Sequence, residues 1–235
     1  MLSSRAERMP DSPQSPMTMY LADMSYFSGK MEAYLRYKEV PYERRHATSK
    51  TMRDEVLPAT GLMKVPVIRL PDGRWLKDTT PMIDWFEAAY PEPPVVPKDP
   101  VLRFLSKLVE DYADEWCWRA ALYGRWKPVG TRRLLMRRIG EEVLPDFPTP
   151  PWLSGWYYGR RQIATYLKGD GVSAETEPVV KQHYLDLLDA MSTILEDQPF
   201  LLGSHPTLVD IGLFGPMFRH YAQDPAPSAV MESRA

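Results

Sequence analysis

A proline opens an apolar, β-branched run in Met63-Lys64-Val65-Pro66-Val67-Ile68, and twelve residues after it begins Asp78-Thr79-Thr80-Pro81-Met82-Ile83. Proline lacks an N–H, is tolerated at the start of a strand, and makes an X-Pro bond that adopts cis far more readily than other peptide bonds. Such a geometry leaves the backbone N–H and C=O of Val65 free to pair with an extended, peptide-like ligand. An acidic residue and a hydroxyl at the next strand-to-helix junction, Asp78 and Thr79, are placed to receive that ligand's charged end. The chemistry suggested is the binding of a peptide thiol. The competing reading is purely structural: Val-Pro-Val starts many strands, and a threonine before a helix is usually a cap.

The elements that must position these residues follow from periodicity. Residues 17–22 form a short apolar run suited to a strand, and 28–38 carry Met31, Ala33, Tyr34, Leu35 and Tyr37 at helical spacing, ended by Pro41. Residues 42–47 read as an edge strand, and 49–57 as a short polar helix stopped by Pro58. Residues 65–70 and 74–77 flank Pro71-Asp72-Gly73, where proline presets one dihedral and glycine accepts a positive one, so a hairpin is expected. Residues 79–90 then form a helix with a heavily apolar face. This order predicts an α/β half with a four-stranded mixed sheet.

Five prolines between Tyr90 and Pro100 mark a stiff boundary, and beyond it strand signals vanish. One long helix is expected over 101–123, with Leu102, Leu105, Leu108, Val109, Tyr112, Trp116 and Ala120 along one stripe. Further helices are expected over 131–143, 155–167 and 177–195, with 144–151 irregular. Thr207 and Asp210 form a capping box before the apolar run from Ile211. The expected organisation is a disordered tail at 1–16, the α/β domain at 17–90, a linker at 91–100, an all-helical domain at 101–222, and a disordered or truncated tail at 223–235.

Composition narrows the function classes. At 44% hydrophobic and 26% charged the chain is an ordinary globular one, and 29 basic against 31 acidic residues give no electrostatic case for nucleic acid or an anionic membrane. No run of eighteen apolar residues suggests a membrane span, and no secretory signal opens the chain. Cys117 is alone, so no internal disulfide and no thiolate cluster for a metal can form, which suits a reducing, cytoplasmic setting.

Taken together, the Val-Pro strand start, the acidic-hydroxyl pair, the Pro-rich connection and the Thr-x-x-Asp box resemble a cytosolic glutathione transferase over residues 17–222. That resemblance implies a thioredoxin-like first domain, an all-helical second domain, glutathione as co-substrate without a metal, and a homodimer. It sets Lys64, Val65 and Pro66 against the cysteinyl part of glutathione, and Asp78 with Thr79 at its γ-glutamyl end. Ser25-Tyr26-Phe27-Ser28-Gly29-Lys30-Met31 is similar to the Ser-Pro-x-Ser-x-Lys-Val string of serine-type members, which puts Ser25 in the catalytic place. A serine hydroxyl there donates to sulfur and favours the thiolate of a group whose free pKa is about 8.5. Ser28 reads as the helix N-cap. Tyr26 stands where the family carries proline, and Met24 falls at the catalytic position of tyrosine-type members, leaving Tyr20 and Tyr26 as alternative hydroxyls. Most members also continue one or two helices beyond the capping box, so this chain is expected to be short or incomplete.

The implied activity is conjugation of glutathione to a hydrophobic electrophile; the alternative is a transferase-like binding or assembly module without turnover. Lys50 and Arg53 are minor candidates for the glycine carboxylate. The tryptophans and tyrosines between Trp116 and Tyr166 are expected to wall the electrophile pocket or simply fill the core. His46, His183, His205 and His220 are read as solvated or merely hydrogen-bonded, Cys117 as a buried structural thiol, and the arginines of 131–138 and 160–161 as solvated helix faces.

Overall fold

The protein is described by a computed structural model covering residues 16–234. Strand β1 (Met17–Leu21) pairs parallel with β2 (Tyr42–His46) and antiparallel with β3 (Val67–Arg69), which pairs antiparallel with β4 (Trp75–Lys77). The sheet order is β2-β1-β3-β4, a mixed four-stranded sheet with β2 and β4 as its edges. Gly73 closes the β3–β4 turn at a φ of 86°, and Asp72 accepts from the Arg74 N–H at 2.9 Å. Helices α1 (Tyr26–Tyr37) and α4 (Thr79–Ala89) cover one face through Met31, Leu35, Ile83 and Phe86.

On the other face lie α2 (Ser49–Thr51), a π-helical turn (Met52–Val56) and α3 (Leu57–Thr60). The helical stretch therefore runs past Pro58. The π-turn sends the Leu57 N–H back to the Met52 carbonyl, and Pro58 sits just after that turn, where the chain passes into α3. Gly61 ends the stretch in the left-handed conformation at φ 72°.

The second half comprises α5 (Pro100–Glu115), α6 (Cys117–Trp126), α7 (Val129–Glu142), α8 (Pro151–Gln162), α9 (Glu177–Asp197), α10 (Leu208–Pro216) and α11 (Pro225–Glu232), with π-helical segments Ile163–Lys168 and Met217–Ala222. The single helix expected over 101–123 is two. Arg119 takes the Glu115 carbonyl at 2.6 Å and a tight turn at Trp116 resets the phase, so that Cys117, Ala120 and Ala121 face the core. The predicted stripe also faces the other way: Leu102, Leu105 and Leu108 are exposed, while α5 buries Ser106, Glu110 and Ala113, packing on α10 and meeting α1 at Glu110 and Ala113. Periodicity reports that a helix has an apolar face; it does not say what covers that face.

Of the expected tail at 223–235, the described residues 223–234 are not unstructured. Asp224 and α11 pack against α6 and α7, so the segment after α10 continues for a π-helical turn and a further helix. The expected tail at 1–16 lies outside the described residues, apart from Pro16. The two halves share their cores: Met24 and Tyr26 are buried among helical-domain residues, and Leu208 and Ile211 of α10 are buried with the α/β half. Val95 of the Pro-rich connection is buried and accepts from the Leu208 N–H at 2.8 Å. The Thr207–Asp210 box forms, with Asp210 accepting from the Thr207 N–H at 2.8 Å and from the Leu201 N–H at 2.9 Å.

Candidate functional site

The site begins where β1 ends. The chain turns through Ala22 to Ser25, with the Ser25 N–H donating to the Ala22 carbonyl at 2.9 Å, and Ser25 is the N-cap of α1. Its Oγ accepts from the Ser28 N–H at 3.3 Å, which uses a lone pair and leaves the hydroxyl proton available. Ser28 is not the cap, because it sits in the first helical turn, fully buried, and its Oγ accepts from the Ala22 N–H at 3.4 Å. Capping by Ser25 sets its hydroxyl beside a helix N-terminus, a place that favours an anion.

Neither alternative hydroxyl is free. Tyr26 is buried with its OH donating to the Ala113 carbonyl of α5, and burial pushes its phenol well above the ordinary value. Tyr20 donates to Glu55 at 2.9 Å on the far side of the sheet. Met24 contributes a buried apolar side chain.

Val65 lies two residues before β3 and, among the described residues, makes no backbone hydrogen bond; the Val65–Pro66 peptide bond is cis. Asp78 is the N-cap residue of α4 at φ 71°, a conformation that non-glycine residues rarely adopt, and its carboxylate makes no capping bond. An exposed acid held in a strained backbone without a local partner is available to a ligand. Thr79, next to it, is buried.

These pieces meet along one cleft of two lobes. One lobe, of about 590 Å³, is lined by Val65, Pro66, Asp78, Thr79, Lys77 and the acidic face of α5. The other, of about 470 Å³, is lined by Ser25, Met24, Trp118, Trp126, Tyr158 and Tyr166 among others. Phe27, Lys64, Val65, Asp114 and Glu115 belong to both. All six residues selected by sequence thus line this cleft. Lys50 and Arg53 do not: both engage Asp54 at 2.9 Å on the surface.

Aromatic residues of the helical half divide. Trp118 stacks on Phe27 at 5.8 Å and meets Tyr166 edge-on at 5.9 Å, forming a wall, whereas Trp116, Trp152, Trp156 and Tyr157 are exposed elsewhere. His220 is not solvated. It is buried at 5.4 Å from the Tyr26 ring, and desolvation together with the nearby Arg125 pushes its pKa well below the ordinary histidine value. Burial raises Cys117 to about 12, so it is inert as a nucleophile.

A second cluster escaped sequence reasoning. Lys30, fully buried in α1, pairs with Glu110 and, at 2.6 Å, with Asp114 of α5, while Thr80 donates to Glu110. Burial raises Asp114 to about 6, against the opposing pull of Lys30. The only sequence signal was the pairing of acids four apart, Glu110 with Asp114 and Asp111 with Glu115; nothing local ties them to Lys30.

The family model described as "Glutathione S-transferase, N-terminal domain" matches residues 19–94, and that described as "Glutathione S-transferase, C-terminal domain" matches residues 160–221. The chain belongs to the glutathione transferase family. The isoprene-epoxide–glutathione S-transferase of Rhodococcus sp. strain AD45 is 24% identical over 211 residues, covering 87% of this chain and 83% of that protein. Among solved structures, a glutathione S-transferase from Rhodospirillum rubrum F11 superposes at a TM-score of 0.61 and 18% identity, over 93% of this chain and 84% of its own. One from Methylobacterium radiotolerans JCM 2831, in complex with glutathione sulfonate, gives a TM-score of 0.53 at 19% identity, over 93% and 90%. These structures share the transferase fold: a thioredoxin-like sheet domain followed by a helical domain.

Proposed function

We propose that this transferase binds glutathione along the cleft and adds its thiolate to a hydrophobic electrophile in the aromatic lobe, by a serine-type mechanism. The observation that carries the reading is that Ser25 and Asp78 line two adjoining lobes that share Val65. The unpaired Val65 backbone holds the cysteinyl unit between Lys64 and Pro66. The first N–H groups of α4, at Thr79, receive the γ-glutamyl carboxylate, and Asp78 receives its ammonium.

Ser25 donates to sulfur and does not attack. With the α1 N-terminus it favours the thiolate of a group that is mostly protonated at neutral pH, given a free pKa of about 8.5. The sulfur lone pair forms the S–C bond and the electron pair of the broken bond leaves on the displaced chloride, which departs as the anion, or on the opened-ring oxygen, which takes a proton from solvent. The name of the Rhodococcus relative records an epoxide substrate for that protein, so a small epoxide is an apt first electrophile beside a chlorinated aromatic.

The exposed row Val101, Phe104, Leu105 and Leu108 on α5 supports a homodimer, since an apolar patch of this kind marks an association surface. No helix among the described residues is long and apolar enough to cross a membrane, and a reducing, cytoplasmic compartment rich in glutathione suits the reading. Calorimetric titration with glutathione and product analysis with both electrophiles test the proposal. Binding with turnover, reduced in Ser25→Ala, is expected. Binding without turnover of either electrophile would favour the module alternative, and no glutathione binding together with no turnover would defeat the enzyme reading.

A further inference from the structure

Two buried arginines of the helical half reach across to the loop that carries Ser25. Arg125 of α6 donates through Nη1 to the Met24 carbonyl at 2.9 Å, and Arg219 of the π-helical segment donates through Nη1 to the Asp23 carbonyl at 2.6 Å. These are the two peptide carbonyls immediately before Ser25. Both side chains are at least nine-tenths buried, and each is neutralised by a buried acid. Asp224, just before α11, accepts from Arg125 Nε at 2.7 Å and from Nη2 at 3.2 Å; Glu32 of α1 accepts from Arg219. The arginines are themselves linked, because Arg125 Nη2 also donates to the Arg219 carbonyl at 3.0 Å. Close approach is built in: a Cβ on Gly29 would lie 2.2 Å from Arg219 Cγ, so only glycine lets that side chain pass over α1.

We propose that Arg125 and Arg219 are positioning residues that fix the Asp23–Met24 carbonyls and thereby aim the Ser25 hydroxyl, with Asp224 orienting Arg125. The inference rests on the Ser25 reading above. It accounts for a departure noted in the sequence, Tyr26 where the family carries proline. A loop without that proline's rigidity is held on one side by two guanidinium groups and on the other by the Tyr26 hydroxyl on Ala113. Guanidinium suits the task because Arg125 serves four acceptors at once from a rigid planar fork, which an ammonium cannot do. It also makes the segment after α10 part of the site, since Arg125 is oriented from Asp224.

The test is the apparent pKa of bound glutathione, read from thiolate ultraviolet absorbance against pH, on full-length wild type, Arg125→Lys, Arg219→Lys, Asp224→Asn and Ser25→Ala. Lysine keeps the positive charge, so a field effect alone leaves the thiol where it was. Loss of positioning raises its pKa by about one and lowers kcat/KM about tenfold, with the glutathione Kd changed less than about threefold. Asp224→Asn separates the two causes by sign and keeps the test open if an arginine variant fails to fold. Uncovering the Arg125 charge would lower the thiol pKa, whereas loosening the loop raises it, which is the expected result. A rise with Ser25→Ala but none with the other three variants would overturn the positioning role and leave the serine role standing. No rise with Ser25→Ala would overturn both.

Discussion

Tyr26 is the residue on which the loop's geometry turns, because its ring lies against Phe27, Trp118 and His220 and its hydroxyl holds α5. Removing that hydroxyl in Tyr26→Phe leaves a helix-end carbonyl short of a donor, and a loss of about 1–3 kcal/mol in urea unfolding is expected. Lys30 carries more: deleting it leaves Glu110 and Asp114 as uncompensated buried acids, so Lys30→Met is expected to cost about 3–5 kcal/mol. Asp114 and His220, both on the cleft wall, shape the pH profile in opposite senses. Asp114 holds its proton up to about 6 when folded against 3.8 when unfolded, so its contribution is full below 3.8 and lost as pH rises through about 6. His220 refuses a proton that the unfolded chain takes up below 6.5, so its contribution is present above 6.5 and lost on acidification. Urea unfolding from pH 4 to 7 should therefore show Asp114→Asn gaining on wild type by up to about 3 kcal/mol as pH rises. His220→Phe should instead gain on wild type as pH falls below 6.5.

At the scale of elements, helices α7 and α8 cross so closely that a side chain has no room at two glycines. A Cβ on Gly155 would lie 1.7 Å from the Met136 carbonyl oxygen, and one on Gly140 would lie 1.8 Å from that of Pro151. Backbone on both sides must then separate, so Gly155→Ala is expected to cost about 1–3 kcal/mol and lower Tm by roughly 3–10 °C in calorimetry. The elements themselves were legible because their signals are local: the Pro-Asp-Gly turn, the alternation of strand and helix, and the Thr207–Asp210 box all depend on residues a few positions apart. The errors share a cause. The break at Trp116 and the folding of residues 225–232 involve partners distant in sequence, such as Tyr221 donating to the Cys117 carbonyl at 3.3 Å and the Ala226 N–H donating to Thr131 at 3.1 Å, and the continuation past Pro58 goes with a π-helical turn that periodicity does not signal. The N-cap was misassigned by one helical turn because Ser25 and Ser28 are both good caps, and a pattern does not choose between them.

For the whole molecule, the cleft was legible through backbone-level motifs at Val65–Pro66 and Asp78–Thr79, while the buried charges behind it were not. Lys30 and Arg219 are buried by pairing across the two halves of the chain, and Arg125, paired with Asp224 within the helical half, crosses to the Met24 carbonyl. The same reasoning turns the exposed α5 row into a prediction. Phe104→Lys with Leu108→Lys is expected to convert the proposed homodimer into a monomer in sedimentation, with the thermal unfolding of the remaining fold retained. The central claim is that the loop ending at Ser25 activates a thiol held along Val65, and one measurement reaches it: the pKa of glutathione bound to wild type and to Ser25→Ala. A value at least about one below the free thiol's 8.5 is expected in wild type, returning toward it in the variant. An equally depressed value in both proteins, or an undepressed value in wild type, would contradict it.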